Sequence, residues 1–334
     1  MNKELIKLLM LADWFPPAYK AGGPVQSCAN LAKVLAGHFE IWVLTGDRDL
    51  GDEQPFAGLE LNTWIRRADH LRVMYLENQK LSKQNWTDLV REVAPQVVYL
   101  NSMFSLTFSI RPLLWLQSDY PEISVILAPR GMLRASALAY KTWKKRIFLQ
   151  LARIWGWYRQ VHFHATDVEE VEAIQRLVGK PLQITRLANI PAPVTDYWPK
   201  SKGVVHFIFV GRIHPVKGLL KAIEAFQQIT DPVIFTIGGP IEDPSYLKIC
   251  QNLIRELPKS IRVDWREALP HDEVQALLHQ AHFLVLPSQG ENFGHAIFEA
   301  FATGTPVLIS DQTPWRDLPE QKIGWDLPLA NLAG

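Results

Sequence analysis

The sequence predicts two α/β domains, each a doubly wound parallel sheet with helices on both faces. Short apolar runs alternate with longer segments of helical periodicity along most of the 334-residue chain. A proline-rich stretch at 189–203 interrupts the alternation, which then starts again. A single hydrophobic core rarely serves a chain of this length, so we expect domains at 1–195 and 196–334.

In the first half, the apolar runs predict buried parallel strands, because strands covered on both faces need apolar side chains on both sides. We predict these strands at 5–11, 40–44, 71–76, 96–100, 123–128 and 160–165. The helical periodicity between them predicts helices at 24–37, 83–93, 104–118, 138–156 and 167–178.

The second half repeats the pattern. Its strands are predicted at 204–210, 233–239, 261–265, 282–288 and 306–310. Its helices are predicted at 218–229, 245–257, 271–280 and 293–303. A further helix would normally close such a domain, so we expect that a C-terminal helix is missing from this sequence.

Composition narrows the class of protein. The apolar fraction of 48% is that of a soluble globular protein, and the net charge of +1 gives no indication of nucleic-acid binding. Two distant cysteines, Cys28 and Cys250, favour neither a disulfide framework nor a zinc site, and they suit a reducing cytoplasm. Lys7 interrupts the N-terminal apolar run, which we interpret as a buried strand and not a signal peptide. We predict no transmembrane helix.

The loops that follow strands are where ligands bind in such sheets. After the strand ending at Val210, the sequence "GRIHPVKG" gives a turn at Gly211 and two cations, Arg212 and Lys217, beside a helix N-terminus. This arrangement predicts an anion site. The alternative is a pair of solvated surface charges.

Two glycine-rich loops could let the backbone approach a ligand closely. One contains Gly239, and the other contains Gly22 and Gly23 in "AYKAGGPVQS". Ordinary tight turns are the alternative. Neither loop matches the usual dinucleotide or nucleoside-triphosphate fingerprints.

Glu299 stands in an apolar helical run, "ENFGHAIFEAF". A carboxylate there needs hydrogen-bond donors, and the hydroxyls of a sugar would supply them. A capping or salt-bridging glutamate is the alternative.

These motifs together resemble glycosyltransferase family 4, a retaining group with the GT-B fold, over most of the chain. The strongest element is the E-x7-E spacing of Glu291 and Glu299 within "PSQGENFGHAIFEAFATGTPVLIS", accompanied by "GRIHPVKG" and "AGGP". The stretches "PRGML" at 129–133 and "HAT" at 164–166 resemble a branch acting in surface-polysaccharide and lipopolysaccharide assembly.

The resemblance implies two Rossmann-like domains facing a cleft, with a nucleotide-sugar donor held by the C-terminal one. Arg212 and Lys217 would bind the donor diphosphate and stabilise the leaving group, while Glu299 would bind the ribose hydroxyls. Gly211 and Gly239 would lie against the donor. Gly22 and Gly23 would close over its phosphates.

The resemblance also implies how the transferred sugar is held. Glu291 would bind one of its hydroxyls, and the backbone N–H groups of Asn292, Phe293 and Gly294 would hold it at the helix N-terminus. A hexose would pass with retention from a UDP- or GDP-linked donor to a glycan or lipid-linked acceptor. The reaction would need no metal, no other cofactor and no general base from the protein.

This sequence departs from the family pattern at the site where the acceptor is expected to bind. Many relatives carry a histidine where this sequence has Arg130, which cannot act as a base but could stabilise charge. We interpret Asn189 as the remnant of the turn that usually ends the first domain. The absence of the histidine leaves a non-catalytic nucleotide-sugar-binding protein open as an alternative. A nucleotide-sugar epimerase, which can share the two-domain architecture, is the other alternative.

Several other signals favour structural interpretations. Asp47 and Asp49 mimic a D-x-D metal motif, but no other acidic cluster accompanies them, so we expect no metal site. His162 and His164 alternate along a strand, as core or surface histidines do. His214 and His295 are interpreted as solvated loop histidines.

The segment from Arg130 to Arg159 contains eight Lys or Arg residues and no acid. Residues 140–160 interleave basic and aromatic side chains, as basic amphipathic helices that dock on anionic lipid do. One side of the predicted helix would carry Trp143, Ile147, Leu151, Ile154 and Trp155. We hypothesise a peripheral contact with the inner face of the membrane; the alternative is that the tryptophans serve the core.

Overall fold

The structure is a computed structural model that describes residues 5–134, 137–138, 142–194 and 196–331. Its contacts divide the chain into two compact α/β units. One unit comprises the residues up to Ala18 together with Pro24–Ile190. The other comprises Tyr19–Gly23 and the residues from Pro191 onward. The division after Ile190 lies inside the proline-rich stretch.

The N-terminal unit contains an eight-stranded sheet. Its strands are β1 Ile6–Ala12, β2 Phe39–Gly46, β3 Ile65–Ala68, β4 Leu71–Leu76, β5 Val97–Leu100, β6 Ser124–Leu127, β7 Val161–Ala165 and β8 Gln183–Arg186. They are ordered β3-β4-β2-β1-β5-β6-β7-β8, and neighbours are parallel except β3, which is antiparallel to β4. The helices are α1 Gly23–Leu35, α2 Lys83–Val93, α3 Arg111–Asp119, α4 Thr142–Ile154 and α5 Val168–Val178.

This sheet is covered on both faces, as its apolar runs predict. Successive residues of a strand point to opposite faces. Along β1, Leu9 and Leu11 belong to one hydrophobic cluster, whereas Leu8 and Met10 belong to another. All four side chains are buried. The continuous apolar sequence of β1 is therefore needed to fill two cores at once.

The C-terminal unit contains a six-stranded parallel sheet and one hydrophobic core. Its strands are β9 Val205–Val210, β10 Val233–Gly238, β11 Ile261–Arg266, β12 Phe283–Leu286, β13 Val307–Ser310 and β14 Gly324–Leu327, in the order β11-β10-β9-β12-β13-β14. Its helices are α6 Leu219–Phe226, α7 Pro244–Arg255, α8 His271–Gln280, α9 His295–Ala302 and α10 Leu318–Gln321.

Two predicted helices begin late or divide in the structure, and the predicted helix 218–229 is shorter, spanning Leu219–Phe226. The predicted helix 293–303 begins only at His295, because Gly294 has a φ of +78° in the left-handed region and stands before the first turn. The predicted helix 104–118 divides into a π-helical turn, Leu106–Ile110, and α3. Ile110 N–H donates to Ser105 O, five residues earlier, at 2.8 Å.

Three strands were not predicted: β3, β8 and β14. Each lies at an edge of its sheet. Edge strands have little apolar surface to bury, and β3 ("IRRA") and β8 ("QITR") are mostly exposed. The signal used for central strands, a continuous apolar run, is therefore weak in them.

The order of the strands fixes where a ligand can approach each sheet. Chain order reverses direction between β1 and β5 in the N-terminal unit, and between β9 and β12 in the C-terminal unit. The crevice at such a switch point is the usual ligand site of an open α/β sheet. The loop after β9 carries Arg212 and Lys217, and the loop after β12 carries Glu291. Among the described residues, no helix has the length and apolar character needed to cross a bilayer.

Candidate functional site

The loops after β9 and β12 are joined by hydrogen bonds at the switch point of the C-terminal unit. Gln289 N–H donates to Val216 O at 2.7 Å, and the Ser288 hydroxyl donates to the same oxygen at 3.0 Å. These bonds bring Lys217 and Glu291 together, with Lys217 Nζ at 2.6 Å from Glu291 Oε1. Only 17% and 9% of the two side chains are exposed, so the ion pair is largely desolvated.

Glycine is required at two points of this site by the approach of neighbouring backbone. Gly218 has a φ of +73°, and a Cβ there would lie 2.0 Å from Pro287 O. Gly239 has a φ of +153°, and a Cβ there would lie 1.9 Å from Gly211 O. Gly239 therefore allows the loops after β9 and β10 to pack against each other, which is a structural reason for this glycine independent of any ligand. A Cβ at Gly211 would make only ordinary contacts, at 3.6 Å from the Lys217 side chain.

Arg212 leaves the sheet directly after β9 and is paired with a carboxylate that the sequence did not indicate. Its Nη1 donates to Glu242 Oε2, and both side chains are about one-third exposed. Glu242 follows β10, the neighbour of β9 in the sheet. The sequence does show an acidic residue in the loop after β10. It identifies the partner of Arg212 only once β10 is known to lie beside β9 in the sheet.

Glu299 is buried in α9 with 5% of its surface exposed. Burial raises the pKa of its carboxyl to about 8. His271 Nδ1, at the start of α8, lies 3.5 Å from Glu299 Oε1. Burial lowers the pKa of His271, which favours a neutral imidazole over a strong ion pair. His271 was not identified from the sequence.

The residues between Glu291 and α9 form a loop anchored by aromatic contacts. Phe293 O accepts a hydrogen bond from Trp315 Nε1 at 2.6 Å, and the two rings are 5.5 Å apart, edge to face. Gly294 is the residue that precedes the first turn of α9. The loop thus places Asn292, Phe293 and Gly294 at the positive end of a helix dipole.

In the N-terminal unit, Arg130 is held by three side chains at the carboxyl edge of the sheet. It donates to Asn101 Oδ1 at 2.8 Å, to the Tyr99 hydroxyl at 2.9 Å and to Asn189 Oδ1. Its φ of +53° is unusual for a residue other than glycine. Both Arg130 and Asn189 thus have structural partners, and the catalytic role of Arg130 stays a prediction.

His164 belongs to the same network and is a core histidine, as expected. Its Nδ1 is 2.7 Å from the Tyr99 hydroxyl, and its Nε2 is 2.7 Å from Leu187 O. Tyr99 accepts from Arg130 and can therefore donate to Nδ1, which leaves Nε2–H to donate to the carbonyl. Burial, then the charge of Arg130, lowers the pKa of His164 to about 4.

A buried carboxylate, missed in the sequence, fixes the loop that carries Arg130. Glu170 has no exposed surface. It accepts hydrogen bonds from Gly131 N–H at 2.5 Å, from Thr166 N–H at 2.8 Å and from the Thr166 hydroxyl at 2.8 Å. Three donors explain why a buried carboxylate is tolerated here.

The remaining predicted sites have local roles. Asp47 accepts hydrogen bonds from Arg48 and from Asn78 N–H. Within the described part of the chain, no group of three or more His, Cys, Asp or Glu side chains is placed to hold a metal ion. Gly22 has a φ of +64° and closes a turn with Tyr19 O at 2.9 Å, immediately before α1 begins at Gly23.

Comparison with known proteins points to one class of enzyme. Residues 198–321 match the family model described as "Glycosyl transferases group 1". The chain is 34% identical over 108 residues to D-inositol 3-phosphate glycosyltransferase of Corynebacterium efficiens, a match covering 30% of this chain and 26% of that protein. It is 30% identical over 126 residues to D-rhamnosyltransferase WbpZ of Pseudomonas aeruginosa, covering 36% and 32%. These matches span about a third or less of the curated relatives.

Solved structures match over nearly the whole chain. Sucrose-phosphate synthase from Thermosynechococcus elongatus aligns with a TM-score of 0.73 and 17% identity, covering 98% of this chain and 87% of that one. Anabaena Alr3699/HepE in complex with UDP and glucose aligns with a TM-score of 0.67 and 16% identity, covering 98% and 88%. WaaG, a glycosyltransferase involved in lipopolysaccharide biosynthesis, aligns with a TM-score of 0.63 and 14% identity, covering 98% and 88%. At such identities the likeness establishes the fold.

Proposed function

The chain has the GT-B fold and carries a group 1 glycosyltransferase domain at residues 198–321, and from this premise we propose that it transfers a hexose from a UDP- or GDP-linked sugar with retention of configuration. The acceptor is a glycan or lipid-linked glycan in the synthesis of cell-surface polysaccharide or lipopolysaccharide. The observation that carries this proposal is the placement of Arg212 and Lys217 with Glu291 at the switch point of that domain.

In this proposal, the two cations receive the donor diphosphate. Each is held by a carboxylate, Arg212 by Glu242 and Lys217 by Glu291, and is thereby kept in place before the donor arrives. A diphosphate competes with these carboxylates for the same donors. Cations fixed in advance stabilise the negative charge that develops on the leaving group without rearranging during the reaction.

The nucleoside and the sugar are bound by the acidic residues. Glu299 is short of donors for a buried carboxylate, and two ribose hydroxyls would supply them and stabilise its charged form. Glu291 accepts from a hydroxyl of the hexose, and the N–H groups of Asn292, Phe293 and Gly294 orient that sugar. Gly211 and Gly239 bring the backbone near the donor, and Gly22 and Gly23 cover its phosphates.

The chemistry in this proposal is a front-face substitution. The bond from the anomeric carbon to the diphosphate breaks as the acceptor hydroxyl attacks from the same face, and the departing phosphate oxygen takes the acceptor proton. No metal and no protein base takes part. The protein works in the cytoplasm and contacts the inner face of the membrane through residues 140–160. The lipopolysaccharide role of WaaG supports an acceptor of this kind.

Transfer assays test the proposal directly. We expect that Arg212→Ala, Lys217→Ala and Glu299→Gln each abolish transfer from UDP- or GDP-sugars to lipid-linked acceptors. Lys221→Ala removes an exposed lysine of α6 that pairs with Glu224, and it should transfer normally. EDTA should have no effect, and NMR of the product should show the anomeric configuration of the donor. Full activity in any of the three site variants would contradict the role given to that residue.

A further inference from the structure

Helix α4 exposes a continuous apolar face to solvent. Five large side chains of the helix and the residue after it are between 38% and 72% exposed, namely Trp143, Ile147, Leu151, Ile154 and Trp155. Their spacing of four, four and three residues, plus the adjacent tryptophan, places them within an arc of roughly 120° around the helix axis. The alternative expectation, that the tryptophans of residues 140–160 serve the core, is therefore wrong for Trp143 and Trp155. It holds for Trp157, which packs against the core of the N-terminal unit.

The opposite face of α4 accounts for its packing. Leu149 and Ala152 are buried in the hydrophobic core of the N-terminal unit, and Phe148 packs against that core. The ring of Phe148 is 5.7 Å from that of Phe104. The helix is thus held mainly by this apolar face. On the exposed face, the ring of Trp155 lies 5.3 Å from that of Trp157.

Cations lie within the exposed apolar face and along one of its borders. Lys144 falls within the arc, and its Nζ lies 5.4 Å from the ring centroid of Trp143. Arg146 and Arg153 are exposed and lie along one border of the arc, where Arg153 Nη1 also donates to Arg176 O at 3.5 Å. No acidic residue occurs between Arg130 and Arg159. Apolar and tryptophan side chains flanked by cations are the composition of helices that lie in the interface of an anionic bilayer.

From this geometry we infer that α4 is a docking surface for an anionic phospholipid bilayer. Its apolar face enters the interface, and Lys144, Arg146 and Arg153 bind the headgroup phosphates. The inference deepens the membrane contact of the proposed function by naming the lipid class and the residues that bind it. It rests on the proposed transfer reaction only for its purpose, which is to bring the enzyme to a lipid-linked acceptor.

The position of the helix suits this purpose. Because α4 connects the parallel strands β6 and β7, its first residues lie toward the carboxyl ends of the strands. Arg130 and its partners lie at that same edge of the sheet. A lipid-borne acceptor held at Trp143 is therefore presented on the side of the unit where ligands of such sheets bind.

A second copy of the chain fits this surface less well. In a symmetric pairing of α4 helices, residue i of one copy faces residue j of the other, and the same cationic surface is present on both copies, so cations of one helix would face cations of the other. The segment supplies no acid to neutralise them. Anionic lipid supplies the missing negative charge, so charge complementarity favours the bilayer.

Vesicle sedimentation tests the inference, with two variants that separate charge from apolar contact. The first is Lys144→Gln/Arg146→Gln/Arg153→Gln, and the second is Ile147→Gln/Ile154→Gln. Lys145 is left unchanged because it is half-buried and donates to Ala137 O at 2.6 Å. Lys141 lies outside the described residues. The matched control, Lys202→Gln/Lys248→Gln/Lys259→Gln, removes three exposed cations of the C-terminal unit.

We expect wild type and control to bind vesicles that contain phosphatidylglycerol, and to bind phosphatidylcholine alone weakly. Both α4 variants should partition at least about tenfold less, and salt at about 0.5 M should weaken wild-type binding. Equal binding of wild type and both variants would overturn the inference. So would a wild-type dimer in light scattering that Ile147→Gln/Ile154→Gln dissociates, because the surface would then serve self-association.

The proposed function can fail separately. Lys217→Ala should sediment with vesicles as wild type does while losing transfer. If neither protein transfers sugar but both bind anionic vesicles, the docking surface stands and the proposed reaction does not.

Discussion

Lys217 Nζ lies 2.6 Å from Glu291 Oε1, so the side chain expected to bind the donor diphosphate is paired with the one expected to bind the sugar. Both are largely buried, and removing one partner of a buried ion pair leaves the other charge uncompensated. In the absence of a donor, the charges of Lys217 and Glu291 therefore compensate each other. A donor must replace this pair with a phosphate for the lysine and a hydroxyl for the glutamate.

Replacing either partner should separate phosphate binding from sugar recognition. Glu291→Gln frees Lys217 from its competitor, so UDP should bind at least as tightly as it does to wild type, while transfer falls about 10- to 100-fold through loss of one charged hydrogen bond. Lys217→Met should weaken UDP binding itself by about 10- to 100-fold. Calorimetry and initial rates measure both effects. A parallel loss of UDP affinity in Glu291→Gln would contradict this division of roles.

Glu299 should release a proton when the donor binds. Burial raises the pKa of its carboxyl to about 8, so this carboxyl is mostly protonated at pH 7 when no donor is bound. Ribose hydroxyls that donate to the carboxylate would favour the ionised form and lower this pKa. Calorimetry of UDP-glucose binding in buffers of different ionisation enthalpy should show release approaching one proton. Glu299→Gln should bind more weakly and release none; unchanged proton release in that variant would exclude Glu299 as the source.

The same residue should make the free protein less stable as pH rises. The folded-state pKa of Glu299 is raised from its ordinary value of 4.5 to about 8, so between these pH values the folded protein holds a proton that the unfolded chain has lost. Stability attributable to Glu299 therefore falls from pH 4.5 to pH 8, by about 1.4 kcal/mol per pKa unit. Thermal melts of Glu299→Gln should show a higher Tm than wild type at pH 8 and a smaller difference at pH 5.

Gly218 should be more sensitive to alanine than a glycine of similar backbone conformation. Gly218 and Gly51 have φ of +73° and +82°, but only at Gly218 would a Cβ meet backbone, at 2.0 Å from Pro287 O. Gly51→Ala should cost about 1–2 kcal/mol for its left-handed conformation alone. Gly218→Ala should cost clearly more and also weaken UDP binding, because Pro287 begins the loop that leads to Glu291. Equal urea midpoints for the two variants would argue against this close approach.

His164 should make the protein less stable in acid. Its folded-state pKa is lowered from 6.5 to about 4, so the unfolded chain binds an additional proton between these values and stability falls as pH drops through them. The full change amounts to about 3 kcal/mol. His164→Gln, whose amide can replace both hydrogen bonds, should show a flatter pH profile in urea unfolding. Ser124→Ala, at an exposed position of the neighbouring strand β6, removes no titratable group; it serves as the control and should keep the wild-type profile.

Local sequence patterns were enough to predict the central strands, most helices and the charged residues at strand ends. Central strands are covered on both faces, so they need consecutive apolar residues, and these appear in the sequence as the apolar runs of β1 and β9. Arg212 and Lys217 could be identified because a turn and a helix start follow a predicted strand directly. The helical spacing of the apolar residues on one face of α4 was also visible in the sequence. The sequence did not show whether this face is exposed or buried.

Which charged side chains meet depends on the packing of the whole sheet. Glu242 reaches Arg212 because β10 lies beside β9. Lys217 reaches Glu291, which is 74 residues away in sequence, because β12 lies on the other side of β9. The partners of Arg130 likewise come from two strand ends that are far apart in sequence. Tyr99 and Asn101 lie at the end of β5, and Asn189 follows β8. Helical and strand periodicity depends on neighbouring residues, whereas these pairings depend on the order of strands in a sheet. That order follows from long-range packing, which a local pattern does not contain.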